Sequence, residues 1–315
     1  LMATVGVTLS TFMIGGAVWA TAALIGLNLP FLWALVFGAL ISPTDPVAVL
    51  GLFRTVKVPA SLEAKVAGES LFNDGVGVVV FTVVVAIAIS SSGSGEALSV
   101  RDVAQLFVKE ALGGAALGLI AGYIGYRAMY QVDEYNLEIL ISLAVVMLSY
   151  SAAITLHMSG PIAVVIAGLL IGNRGVKYAM SETTRSYLTR FWTLLDEVLN
   201  SVLFLLIGLE VVVVAGGIGN SWPLALLAIP ITLGARFFSV SIPVLMLSRS
   251  EVFTKGAIPV LTWGGLRGGI AVALALSLPE NEYKPTILSV TYVVVLFSII
   301  IQGLTVKRLV ERVVH

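Results

Sequence analysis

The 315-residue chain is 58% hydrophobic and only 11% charged, against about 25% charged residues in a soluble domain, and its mean hydropathy is +1.03. Basic and acidic residues balance at 18 each, and cysteine is absent. These figures exclude the basic footprint of a nucleic-acid binder, disulfides, thiol catalysis and thiolate metal sites, and they require an integral membrane protein.

A spanning helix needs roughly 20 mostly apolar residues. About ten segments meet or approach that length: Leu1–Ile25, Phe31–Leu52, Ala64–Ile89, Leu106–Tyr126, Ile139–Leu156, a short Pro161–Gly172, Phe191–Ala215, Trp222–Leu247, Gly256–Leu278 and Thr286–Leu304. The breakers between them are rich in Ser, Gly, Asn and Pro. No ten-residue alternation suggests a β-barrel. The first twenty residues have no basic n-region and no small-residue cleavage site, so they read as membrane helix rather than signal peptide. The predicted fold is all-α and polytopic, a single transmembrane domain over 1–315.

Loop charges support this count. If the loops alternate sides, one side collects 13 Lys and Arg, from Arg54 to Arg312, and the other only Arg101, Lys109 and Lys284. The positive-inside rule makes the rich side cytoplasmic, with both termini of the chain there, as in a multi-pass cell-membrane protein.

Two apolar segments are interrupted. Ser42-Pro43-Thr44-Asp45-Pro46 breaks the second, and Gly264-Gly265-Leu266-Arg267-Gly268-Gly269 breaks the ninth. They lie seven helices apart, an odd offset, so segments repeated around them have opposite orientation. An inverted repeat with matching broken helices points to a secondary transporter. Helices one to three would match eight to ten. Partners for five to seven are then expected before Leu1, so that about three helices are absent.

Ionisable groups within membrane segments are costly and mark function. They are Asp45, Glu69, Asp74, Asp196, Glu197, Glu210, Arg236 and Arg267. The prolines around Thr44 and Asp45 remove backbone donors and free carbonyls for a cation. In Gly68-Glu69-Ser70-Leu71-Phe72-Asn73-Asp74-Gly75, Glu69 lies four residues from Asn73 and Ser70 four from Asp74. One broad helix face thus carries two carboxylates, a hydroxyl and an amide, all oxygen donors for a hard cation. Asp74, about a third of the way into its apolar helix, can exchange a proton. Arg267 keeps its charge when buried, and Glu69 is its natural partner. Glu197 and Asn200 share a face with Asp196, and an ion pair from that face to Arg236 is a supporting feature. Glu210 and His157 receive no role. Two histidines, His157 and His315, cannot build a histidine-rich metal centre.

The strings SPTDPVAV, GESLFNDG, SGPIAVVIAGLLIGN and GGLRGGIAVALAL, in this order, resemble the sodium/proton antiporters of the first monovalent cation:proton antiporter family, bacterial antiporters and animal sodium/hydrogen exchangers alike. The resemblance runs from Leu1 to about Val306. It implies a thirteen-helix inverted-repeat fold, a homodimer, and a core domain moving against a dimerisation domain. It matches Thr44 and Asp45 to the unwound helix at the ion site, and Glu69, Ser70, Asn73 and Asp74 to the second motif, with Asp74 as the carboxylate that takes either Na⁺ or H⁺; the Na⁺ ligands it implies are Asp74, Asp45, Thr44 and Ser70. It matches Arg267 to the arginine paired with Glu69. Asn73, where electrogenic relatives have a second aspartate, is similar to the electroneutral group. The implied function is Na⁺/H⁺ exchange by alternating access, 1:1, with Na⁺ or Li⁺ and H⁺ as partners, no cofactor and no enzymatic step. A cation channel and an intramembrane aspartyl protease using Asp45 and Asp74 are the competing readings.

Overall fold

The computed structural model describes residues 2–45, 60–91, 99–132, 134–175, 180–215, 219–247 and 256–314. Among these residues there is no strand, only an isolated β-bridge. The helices are α1 (Val7–Leu24), α2 (Phe31–Ile41), α3 (Ala60–Ile89), α4 (Val100–Val108), α5 (Gly114–Tyr130), α6 (Tyr135–Thr155), α7 (Gly160–Leu170), α8 (Glu182–Ala215), α9 (Trp222–Leu247), α10 (Ala257–Trp263), α11 (Gly269–Leu276), α12 (Lys284–Phe297) and α13 (Gly303–Val314). A widened π turn, Lys109–Gly113, makes α4 and α5 one continuous rod, and another, Ser298–Gln302, does the same for α12 and α13.

Seven helical stretches among the described residues are long and apolar enough to cross a membrane. The other three apolar segments of the sequence are short or broken. They are α2, which stops before Pro43, the 160–173 stretch that includes α7, and the α10–α11 pair split at Gly264–Gly268. The boundaries follow local chemistry. The Ser99 hydroxyl accepts from the Asp102 N–H, and the Asp102 carboxylate accepts from the Ser99 N–H, a reciprocal cap on α4. Ser159 caps α7, with Pro161 just inside it.

The chain divides into two compact units, residues 98–206 and the combination of 1–97 with 207–315. In the first, α5 packs along α7. Gly118 and Gly122 line the contact, and a Cβ on either would come within about 3 Å of the backbone of Ala163 or Ala167. In lipid, helices gain nothing from excluding water from apolar surface, and small residues let backbones approach closely enough for van der Waals packing to hold them. The second unit uses the same device between α1 and α2. There Gly15 faces Leu35, with 2.9 Å between a would-be Cβ and the Leu35 Cα, and Gly38 faces Gly15. This unit carries both interrupted helices. α2 packs on α1, α3 and α11, while α9 packs on α1, α10 and α12.

Candidate functional site: crossed helix breaks and a buried charge cluster

Thr44 and Asp45 follow the end of α2; Pro46, the last residue of the expected break, lies outside the described residues. The Asp45 N–H donates to the Leu266 carbonyl at 2.8 Å, so the two breaks meet antiparallel. Each break places its charge against the other's helix end. Arg267 donates from Nη1 to the carbonyls of Ser42 at 2.5 Å and Pro43 at 2.9 Å, at the C-terminus of α2. These oxygens are orphaned because a helix end leaves its last carbonyls without donors. Residue 46, the regular partner of the Ser42 carbonyl, is a proline with no N–H. The negative end of the α2 dipole adds to the attraction. In turn, the Asp45 carboxyl group lies against Gly268, directly before α11, at that helix's positive end.

Gly268 makes this seat possible. A Cβ there would overlap the Asp45 side chain, 2.8 Å from its Cβ and closer still to a carboxylate oxygen. Gly268→Ala is therefore expected to push Asp45 aside. Overpacking of this kind costs about 1–3 kcal/mol, so the affinity of a cation seated at Asp45 should fall about five- to 150-fold. Thermal melting at increasing cation concentration checks it; an unchanged affinity would remove Asp45 from the site.

α3 grips the first break. The Asn73 amide donates to the Thr44 hydroxyl at 2.7 Å and accepts from the Thr44 N–H at 3.4 Å, while the Ser70 hydroxyl donates to the Thr44 carbonyl. All three residues are buried. Asn73 thus acts as a two-ended clamp, using its donor and its acceptor on one residue. Asp74, next on the same helix, is partly buried and lies within electrostatic range of Asp45.

The expected pair of Glu69 with Arg267 is not what forms. Glu69 pairs with Arg236, Nη1 to Oε1 at 2.6 Å, both side chains being under 10% exposed. Arg236 also donates from Nε to the Leu261 carbonyl at 3.2 Å, which fixes it beside α10. The reason is local. The freed carbonyls at the end of α2 hold Arg267 by its Nη1, and its Nη2 has no hydrogen-bond partner among the described residues. Arg267 stays within electrostatic range of Glu69 and Arg236. Gly265 gives Arg236 its room, since a Cβ there would sit 2.6 Å from the arginine Nε.

The remaining candidates are described in their own units. Asn200 donates to Asp196 at 3.1 Å along one face of α8, where Asp196 and Glu197 are exposed. The side chain of Glu210 and all of His315 fall outside the described residues, and His157 turns the chain after α6 with a positive φ of 54°. Arg236, expected from sequence only in a supporting place, is the partner of Glu69. Its signal was a lone arginine mid-helix between Pro230 and Pro243.

Within the second unit, then, Asp45, Asp74, Glu69, Arg236 and Arg267 gather around two crossed, unwound segments. The family model for the transmembrane sodium/hydrogen exchanger matches residues 1–312. The Na(+)/H(+) antiporter NhaP of Pseudomonas aeruginosa is 45% identical over 320 residues, which cover 99% of this chain and 74% of that protein. NhaH of Halobacillus dabanensis is 37% identical over 312 residues, 99% of this chain and 75% of its own. The solved sodium proton antiporter MjNhaP1 of Methanocaldococcus jannaschii superposes with a TM-score of 0.77 over 99% of this chain and 78% of its own, at 21% identity, a likeness of fold. The chain is a multi-pass membrane protein of the transmembrane sodium/hydrogen exchanger family.

Proposed function

We propose that this chain exchanges Na⁺ for H⁺ across a cell membrane, one for one, by alternating access. The observation that carries the reading is the charge of the buried cluster. Asp45, Glu69 and Asp74 bring three negative charges, and Arg236 and Arg267 two positive ones. Glu69 is neutralised by Arg236, and Asp45 and Arg267 are each seated on an oppositely polarised helix end. One negative charge is left over. Leaving it bare in an apolar surrounding is costly, so the cluster carries one bound cation at each crossing. Asp74 binds it as a proton, or as Na⁺ with Asp45, Thr44 and Ser70 supplying further oxygen. Oxygen ligands of this kind suit hard cations. Because either ion gives the cluster the same total charge, the exchange moves no net charge. Asn73 supports this, since its amide is committed to Thr44 and does not titrate.

Li⁺, a smaller ion of equal charge, fits the same chemistry. The one-sided distribution of Lys and Arg in the loops supports cytoplasmic termini. A homodimer and the thirteen-helix count remain expectations from the family likeness, and Glu197, Asn200 and Asp196 are assigned no contact with the ion. Transport needs no bond-making step, so neither an enzymatic activity nor a resident cofactor is part of the proposal.

The test is purified protein in vesicles carrying an imposed pH gradient. Adding Na⁺ or Li⁺ outside should collapse the gradient, and the rate should ignore a membrane voltage set by valinomycin and K⁺. A voltage-dependent rate would overturn the 1:1 stoichiometry, and a steady current would favour a channel. A further outcome concerns pH. Protons and Na⁺ compete for Asp74, so acidification should raise the Michaelis constant for Na⁺ and barely change the maximum rate. For a single competing proton the rise approaches about tenfold per pH unit. A constant that does not move with pH would exclude a shared site.

A further inference from the structure

The first break is held by α3, whose Ser70 and Asn73 side chains bond the backbone and hydroxyl of Thr44. Among the described residues, no side chain of α3 bonds the second in this way. Its backbone polar groups instead meet the rod formed by α12, its π turn and α13. The Arg267 N–H donates to the Ser298 hydroxyl at 2.7 Å. The Gln302 side-chain amide donates to the Trp263 carbonyl at 3.0 Å, at the last residue of α10. The Trp263 indole N–H donates to the Thr305 hydroxyl at 2.9 Å. The contacts thus bracket the gap, on Trp263 before it and on Arg267 after it. Ser298 and Gln302 are 1% and 3% exposed.

We infer that Ser298 and Gln302 are positioning residues for ion exchange: they splint the second helix break and hold Arg267 on the end of α2, as Ser70 and Asn73 hold Thr44. Three observations support this. First, Ser298 and Gln302 open and close the π turn. A π turn inserts one extra residue into a helix and commonly sits at functional sites. Second, the equally buried Thr291 hydroxyl on this rod folds back onto the Ile287 carbonyl at 2.7 Å, whereas Ser298 accepts a backbone N–H from across the gap. That N–H has left the helical ladder and is buried, so it needs an acceptor. Third, the pairing of helices one to three with eight to ten expected from the sequence gives α12 and α13 the place that α3 has in the first repeat. The same task, tying an unwound segment to the third helix of its repeat, is met in both halves by a serine hydroxyl and a side-chain amide.

The mechanical consequence follows from the crossing. The Arg267 N–H is fixed by Ser298 and its guanidinium by the Ser42 and Pro43 carbonyls. Losing the first anchor loosens the second, and with it the placement of Thr44 and Asp45. The effect on ion binding is indirect, since neither Ser298 nor Gln302 is assigned as an ion ligand.

This inference rests on the ion site proposed above, and the test separates the two. The purified protein is melted over a range of NaCl concentrations, with choline chloride keeping ionic strength constant. The concentration giving half-maximal stabilisation reports Na⁺ affinity without requiring transport. Ser298→Ala and Gln302→Met are each expected to raise that concentration about three- to tenfold, and to raise the Michaelis constant for Na⁺ in vesicles by a similar factor with a smaller change in maximum rate. Ser298→Thr, which keeps the hydroxyl, should restore most of the affinity. Thr291→Val removes an equally buried hydroxyl from the same rod but leaves the gap untouched, and it should leave affinity as in the parent protein. A parent protein whose melting does not respond to Na⁺ overturns the ion site itself. A responding parent with unmoved Ser298→Ala and Gln302→Met variants overturns the splint alone, as does a Thr291→Val variant that shifts as far as they do. Should Ser298→Ala fail to fold, Gln302→Met with the Ser298→Thr comparison decides the question by the same measurement.

Discussion

Replacing Asp74 with asparagine is expected to reduce Na⁺-driven proton movement to the level of empty vesicles while leaving a folded protein. Asparagine has nearly the shape of aspartate, so the α3 packing and the Ser70–Thr44–Asn73 grip survive. It can neither release a proton at any accessible pH nor neutralise a bound Na⁺. The charge count gives the reason for a full loss rather than a partial one. With Asp74 neutral, the other four charges already sum to zero. Bringing Na⁺ into that cluster then adds an uncompensated positive charge in a partly buried site. Even a few kcal/mol of such a penalty lowers occupancy by orders of magnitude. Thermal melting should show a stable protein that no longer responds to Na⁺. If exchange persists in this variant, the uncompensated carboxylate is another residue, and Asp45 becomes the first alternative.

How much of this was legible beforehand depends on which link is considered. Membrane insertion follows from composition alone, and each of the ten apolar segments contains helix among the described residues, seven of the stretches being long enough to span, since the length of apolar runs is set by the bilayer. The two breaks were legible because proline and clustered glycine cannot extend a helix. The partner of Glu69 was not. Two buried arginines competed for it, and the sequence does not say which one would be drawn off by orphaned carbonyls. That outcome depends on how α2 ends against the second break, a contact between residues more than 220 apart in the chain. The glycine face of α5 against Ala163 and Ala167 was visible as a spacing, yet small residues recur throughout this sequence and only packing shows which ones touch. Ser298 and Gln302 gave no signal, as single polar residues in an apolar run with no charge to mark them.

Removing Arg236 is expected to destabilise the protein strongly, and removing Glu69 along with it is expected to recover most of that loss. The Glu69–Arg236 pair is buried, with a contact of 2.6 Å, and truncating one partner of such a pair leaves a bare charge at a cost of about 3–5 kcal/mol. Arg236→Met keeps the apolar stem and deletes the cation, so the stranded Glu69 carboxylate dominates the effect. Glu69→Gln with Arg236→Met removes both charges and should lie within about 1–2 kcal/mol of the parent protein, as replaced buried pairs often do. A double-mutant cycle from melting curves in detergent or lipid measures the coupling. Independent sites add within about 0.3–0.5 kcal/mol, so additive losses would show that the two side chains do not hold one another. The same cycle run on Glu69 and Arg267 should show weaker coupling, because Arg267 is anchored mainly on the Ser42 and Pro43 carbonyls. Should the second cycle give the larger coupling, Glu69 spends more of its time on Arg267, and the pair at Arg236 belongs to one state of the transport cycle rather than to the fold.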